Sequence, residues 1–579
     1  MLKLTRFLEP YRWMLVAIIL LAIGQVSANL YLPNLTSDIV NKGIALSDTN
    51  YVIRTGGLML LVAIGGTIFS VLGVYLSSLV ATGMTKKIRE VIFNNVQKFS
   101  LQEFSNLGTS SLITRTTNDT MQIQQVMVMI LSLIITAPFT LVIGMFLALD
   151  QDVGLAWTIV AIIPALVGIT VFLLVKAVPL FTVMQQRIDK LNLIINEKLT
   201  GVRVVRAFNK SKYEEARFDK ANKDVTDVAI KVNQMMSIMT PTIMLLINVM
   251  SLLIIWFGSH RVATGNLEIG SMFAFLQYAM QIMFSMLMVA LLFILLPRAE
   301  ASAKRINELL EIVPEIGDPE NPISPSELHG QLEFRNVSFT FKGAEIPALS
   351  NISFTSSLGK TTAILGGTGS GKSTLVNLIM RFYDVTEGEV LVDGIDVREM
   401  TQEELHSKIG YIPQKAKLFA GTIKENLRFG KEDATDEEMI HAAKIAQATE
   451  FIDNMEDGYE SIISEGGTNV SGGQKQRISI ARALVIKPEI YIFDDSFSAL
   501  DFKTESKLRY ALKEETLDST VVIVAQRVST VLDADQIIVL DEGKIAGIGT
   551  HKELLQNCQV YKNIVESQLS EEEIERESA

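Results

Sequence analysis

Six stretches without a single charged residue fill the first half of the chain: 13–37, 55–85, 120–149, 153–175, 232–259 and 269–297. Each exceeds the ~20 residues that an α-helix needs to cross ~30 Å of hydrocarbon. The three tryptophans, Trp13, Trp157 and Trp256, lie near the ends of such stretches, where an amphipathic ring anchors at the membrane interface. The pattern therefore predicts six membrane-spanning helices, with both termini on one side. Residues 1–12 carry Lys3, Arg6 and Arg12 among apolar positions. No small-residue cleavage site follows the apolar run, so this segment reads as an amphipathic helix on the membrane surface and not as a signal peptide.

The polar intervals set the orientation. The loop 86–119 carries Lys86, Lys87, Arg89, Lys98 and Arg115, and the loop 176–231 carries twelve Lys and Arg, whereas only Asp150, Gln151 and Asp152 separate spans three and four. By the positive-inside rule both long loops and both termini are cytoplasmic. The second loop, if folded as two helical arms, reaches about 35–40 Å per arm at 1.5 Å per residue. Breaks at Gly108 and Gly201 mark the expected tips, each with a short transverse helix, that touch something cytoplasmic.

The pattern then changes. Four prolines, Pro314, Pro319, Pro322 and Pro325, break helix over the linker 312–330. Beyond it, β-branched apolar runs (332–341, 361–365, 389–392, 489–493, 520–525 and 536–540) alternate with helical periodicity. This is the pattern of an α/β domain, placed at 331–566. Residues 567–579 read as an acidic tail without a catalytic role.

Composition adds limits. A mean hydropathy of +0.30 over 579 residues, 48% of them hydrophobic, fits a membrane part joined to at least one further domain. The net charge of −12 argues against nucleic acid as the partner. One cysteine, Cys558, precludes an internal disulfide, and five scattered histidines lack metal-ligand spacing.

The chemistry is concentrated in the second half. Gly366-Gly367-Thr368-Gly369-Ser370-Gly371-Lys372-Ser373, followed by Thr374, stands between an apolar strand and a helical run. In that context glycines let backbone N–H groups wrap phosphates, Lys372 reaches the β- and γ-phosphates, and Ser373 ligates Mg²⁺. A second anion-binding pattern, Ser471-Gly472-Gly473-Gln474, heads another helix. One chain needs two phosphate cradles only if two such domains meet face to face around ATP.

With both motifs in view, the chain resembles an ABC transporter subunit of the exporter type, with membrane and ATPase halves fused, over nearly its whole length. The resemblance implies an all-α six-helix transmembrane domain (13–311, after an elbow helix at 1–12) followed by an α/β P-loop ATPase domain with a helical signature subdomain. It implies ATP and Mg²⁺ as ligands, membrane lipid as surroundings, and a multi-pass place in a bacterial cell membrane. Phe341 matches the aromatic that stacks on adenine, residues 366–373 the Walker A loop, and Gln414 the Q-loop residue near Mg²⁺. Ser471–Gln474 matches the signature that serves a partner's ATP, Asp494 the Walker B acid, and Ser498 to Asp501 the D-loop. Ser373, Gln414 and Asp494 would form the Mg²⁺ set.

Two positions depart from the family pattern. Asp495 stands where the catalytic Glu belongs, and Gln526 where the switch histidine belongs. Withdrawing a carboxylate by ~1.5 Å can cost ~10²-fold when a water must be held in line. The pair resembles the degenerate-site subunit of bacterial heterodimeric multidrug exporters, which implies a homologous, non-identical partner subunit. A homodimeric lipid or drug exporter with slow turnover, and an ATP-gated membrane sensor that does not pump, are the other readings. For small amphipathic substrates the candidate lining is Asn248 in span five with Gln277, Gln281 and Ser285 at i, i+4 spacing in span six, among many methionines. The same residues would equally serve packing and interhelical hydrogen bonds.

Overall fold

The computed structural model describes residues 2–324 and 330–569. The linker residues 325–329 and the acidic residues 570–579 lie outside the described residues. The chain divides into two compact units, Met1–Gln97 with Gly108–Ile312, and Lys98–Leu107 with Val313–Ala579.

The first unit is helical. After a 3₁₀ segment, Leu2–Tyr11, come α1 (Arg12–Asp38), α2 (Thr49–Val96), α3 (Leu101–Leu107), α4 (Thr109–Thr114), α5 (Thr120–Met129), α6 (Thr136–Gln151), α7 (Val153–Thr200), α8 (Val202–Ala207), α9 (Ser211–Ala263) and α10 (Ile269–Leu310), of which α3 belongs to the second unit. Among the described residues five helical runs are long and apolar enough to span a bilayer. The sixth expected span opens α7, whose described apolar run is Val153–Ile169. Prolines lie inside α1, α7, α9 and α10, as membrane-spanning helices allow.

Buried carboxylates tie this unit at two levels. Asp152 caps α7 by accepting from Leu155 N at 2.8 Å, and Arg261 near the end of α9 pairs with it at 2.8 Å. Asp119 accepts from Arg305 Nε at 2.8 Å and from Ser302 Oγ at 2.9 Å. Two π-helical turns, Arg115–Asp119 and Ile130–Ile134, flank α5. Nothing in the sequence pattern announces them.

The short helices at the loop breaks are α3 and α4 around Gly108 (φ 73°) and α8 after Gly201. The sequence places the loop 86–119 wholly in the membrane domain, and the structure differs. Lys98–Leu107 groups with the second unit, where Glu103 accepts from Glu315 N at 3.0 Å.

The second unit holds β1 (Leu332–Phe339), β2 (Leu349–Ser356), β3 (Thr361–Gly366), α11 (Lys372–Ile379), β4 (Glu387–Val392), β5 (Ile395–Asp396), β6 (Ile409–Ile412), α12 (Gly472–Ile486), β7 (Ile490–Asp494), α13 (Phe502–Glu515), β8 (Thr520–Ala525), β9 (Gln536–Asp541), β10 (Lys544–Gly549) and α14 (Gln559–Glu566). A four-stranded sheet runs β2-β1-β4-β5, and a six-stranded sheet runs β10-β9-β3-β8-β7-β6, parallel except at the β10 edge. All residues of β7 and β8 are buried, as expected of parallel strands covered on both faces.

Candidate functional site

Parallel α/β sheets present ligands at the carboxyl ends of their strands. In this domain β3 ends at Gly366, β7 at Asp494, β8 at Ala525 and β6 at Ile412. The register pairs Leu365 with Ala525, Val524 with Asp494, and Ile412 with Phe493. The phosphate loop, the carboxylate pair, Gln526 and Gln414 therefore emerge side by side.

The loop after β3 is shaped for a phosphate chain. Gly369 and Gly371 have φ of 83° and 102°, a region open chiefly to glycine. A Cβ on Gly371 would lie 2.6 Å from Leu349. Gly371 heads α11 without a side-chain cap, so the first amides of the helix are free for an anion. Ser370 Oγ is buried and has no hydrogen-bond partner among the described residues. Lys372 Nζ donates to the carbonyls of Gly366 and Gly367, both at 2.7 Å. These features fit a nucleotide. Burial lowers the pKa of Lys372, opposed by the charges of Asp495 and Asp494. Ser373 and Thr374 follow in the first turn of α11. Phe341, 37% exposed, is braced edge-on by Phe339 at 4.8 Å and Tyr383 at 5.5 Å, leaving a face for a planar ring.

The carboxylates stand in unlike surroundings. Asp494 is buried, with Tyr411 Oη at 3.5 Å from Oδ2. Burial first and the neighbouring Asp495 second raise its pKa, opposed by Tyr411 and Lys372. Asp495 has φ of 47°, an unusual region for a residue with a side chain. Its Oδ2 accepts from Gln414 Nε2 at 3.0 Å and from Gln526 Nε2 at 3.1 Å, so two carboxamides converge on one oxygen. Burial raises the pKa of Asp495 too, opposed by the Gln414 hydrogen bond, then by Lys372 and Arg527. Ser498 Oγ donates to the Asp495 carbonyl at 2.8 Å. Asp501 caps α13, accepting from Thr504 N at 3.0 Å.

The Ser471–Gln474 motif has a complete capping box at the start of α12. Gln474 N donates to Ser471 Oγ at 3.3 Å and Ser471 N donates to Gln474 Oε1 at 2.8 Å. Ser471 and Gly472 are exposed, and a Cβ on Gly473 would sit 3.3 Å from the Ala499 carbonyl. Buried Gln476 donates to the Pro413 carbonyl at 3.1 Å, tying α12 to the residue before Gln414.

Two contributors are invisible in the sequence pattern. Tyr411 reaches Asp494 as described. Gln568 brackets the loop that carries Gln526: its Nε2 donates to the Gln526 carbonyl and its Oε1 accepts from Val528 N, both at 2.8 Å. Leu569 packs against the core beside it. A tail beginning at residue 567 therefore starts too early, because these side chains are bound to the domain. Gln568 follows no motif, and its polar neighbours Glu566, Ser567 and Ser570 disguise it.

The candidate substrate-lining residues are less convergent. Asn248 is exposed on α9, while Gln277, Gln281 and Ser285 are partly buried on α10. Gln281 Nε2 donates to the Asn29 carbonyl at 3.4 Å and Ser285 Oγ to the Ile282 carbonyl at 2.9 Å. Among the described residues there is no cluster of three His, Cys, Asp or Glu side chains fit for a metal.

Residues 15–286 match the ABC transporter transmembrane region family and residues 349–498 the ABC transporter family. An uncharacterised ABC transporter ATP-binding protein of Mycobacterium tuberculosis is 40% identical over 98% of this chain and 97% of its own. A Bacillus subtilis protein named provisionally as a multidrug export ATP-binding/permease protein is 33% identical over 97% and 98%. The solved structure of a bacterial Atm1-family ABC exporter with ATP bound superposes with a TM-score of 0.82 at 26% identity, covering 97% of this chain and 99% of that one. The chain belongs to the ABC transporter family, as an exporter-type half-transporter: a multi-pass membrane protein with a fused ATPase domain.

Proposed function

We propose that this half-transporter exports hydrophobic or amphipathic compounds as one member of a heterodimer, in which its own ATP site binds nucleotide tightly and hydrolyses it poorly. One observation carries the reading: Asp495 Oδ2 is held by both Gln414 and Gln526, while the Ser471–Gln474 motif is fully capped and its Ser471 and Gly472 are exposed. A general base has to accept a proton from an attacking water within hydrogen-bond reach. A short carboxylate with one oxygen engaged by two carboxamides is poorly disposed for that. Gln526 can donate a hydrogen bond to a γ-phosphate but cannot carry an imidazolium charge.

In this scheme residues 366–374 cradle the phosphates and Phe341 stacks on the adenine. Mg²⁺, held by Ser373, Gln414 and Asp494, would neutralise phosphate charge. Ser471–Gln474 would complete the partner's site, where hydrolysis takes place. Closure of the paired ATPase domains would pass to the spans through the loop tips near Gly108 and Gly201. The provisional multidrug name of the Bacillus subtilis relative and the methionine-rich fifth and sixth spans support an adaptable, weakly polar substrate path.

The test is co-purification of the tagged chain from its native membrane. The expected companion is a second half-transporter with Glu and His at the positions of Asp495 and Gln526 and an altered signature. Recovery of this chain only with itself, as an active pump, would refute the heterodimer.

A further inference from the structure

We propose that the N-terminal segment forms, with α1, α2, α5 and α10, a binding site for an anionic phospholipid of the cytoplasmic leaflet. One acyl chain lies in an internal groove, and the headgroup lies against Arg6 and Arg12.

The groove has a volume of about 360 Å³ and is walled almost wholly by apolar atoms. Leu8, Leu15, Met84, Met127 and Leu131 are its main walls.

The segment is built to cover this groove. Leu2–Tyr11 is a 3₁₀ helix, whose three residues per turn give it three faces. Thr5, Leu8 and Tyr11 share one face. Thr5 and Leu8 line the groove, and Tyr11 seats on Gly83, where a Cβ would overlap its hydroxyl. Leu4, on the next face, is fully buried. Lys3, Arg6 and Glu9 form the third face, and Arg12 continues it into α1. Lys3 pairs with Glu311 at 2.5 Å, which pins the segment just past the end of α10. Arg6 and Arg12 are exposed, lie over the rings of Phe7 and Trp13 at 5.0 and 5.8 Å, and have no carboxylate partner among the described residues.

Two further observations point to an occupant. The groove is lined by Ile130 and Leu131 of the π-helical turn Ile130–Ile134, and such turns are frequent at functional sites. Trp13, 73% exposed, marks the interfacial depth at which a headgroup phosphate lies. Glu9 stands between Arg6 and Arg12 on the third face and pairs with neither among the described residues, so the two guanidiniums keep a net positive face beside the apolar groove. That face complements an anionic lipid, and the cytoplasmic leaflet supplies such lipids.

The test uses the full chain in nanodiscs of equal parts phosphatidylglycerol and phosphatidylcholine, with native mass spectrometry of the lipid retained after extraction into detergent. The unsubstituted chain should retain phosphatidylglycerol over phosphatidylcholine. Arg6→Gln/Arg12→Gln should lower that preference several-fold, and Leu131→Trp, which fills the groove, should lower total retained lipid. The arginine variant alters exposed residues only, so it remains informative if Leu131→Trp fails to fold. Equal retention of the two lipids by the unsubstituted chain, or an unchanged preference in the arginine variant, would overturn the proposal.

Discussion

The two motifs assigned to phosphate in the proposed scheme lie in one domain, yet they differ in kind. Around Asp495 the carboxylate sits at a positive φ with two glutamines on one oxygen. Around Ser471 the capping box of the helix start is complete, and Gly472 faces open space. Gln476 joins the two by holding the backbone beside Gln414. A departure from the family pattern confined to one motif, in a domain that is otherwise well packed, is not general decay. It fits two composite sites under different demands, one for binding and one for turnover.

Substitutions can sharpen or break this contrast. The largest effect is expected from Ser471→Ala in the reconstituted two-subunit transporter, where loss of a preorganised phosphate contact should lower ATP turnover by about 10²-fold. Gln568→Ala removes two hydrogen bonds of ~1 kcal/mol each from the loop bearing Gln526. Stopped-flow release of a fluorescent ATP analogue from this chain's site should then quicken by roughly 3–10-fold. The smallest effect is expected from Asp495→Asn, which should leave steady-state turnover of the pair within about 2-fold, well below a typical catalytic acid–base contribution. If Asp495→Asn were the more damaging and Ser471→Ala the milder, the roles of the two motifs would be reversed.

Much of this is legible in the sequence, for physical reasons. The spans are long charge-free runs, the buried strands β7 and β8 are short and dominated by apolar residues, and the phosphate loop needs glycine where φ is positive. Other elements carry no such signal. Strand β2 has a register shift between its pairings at Leu349 and Ile352, which breaks the alternation a strand pattern depends on. Strand β10 is an exposed edge with no buried residue. The convergence of Gln414 and Gln526 on Asp495 joins residues 81 and 31 positions apart, and only the parallel register brings them together. Gln568 is hidden for the same reason, since its partner lies 42 positions away.

The proposed hydrolytic defect local to Asp495 and Gln526 has a simple consequence for the ATPase rate of the purified chain without a partner subunit, compared with that of Asp495→Glu/Gln526→His. Little turnover is expected of the unsubstituted chain, and a rise of about 10²-fold in the double variant, the scale set by positioning a general base. Vigorous turnover by the unsubstituted chain, with a ratio near one, would contradict a local defect.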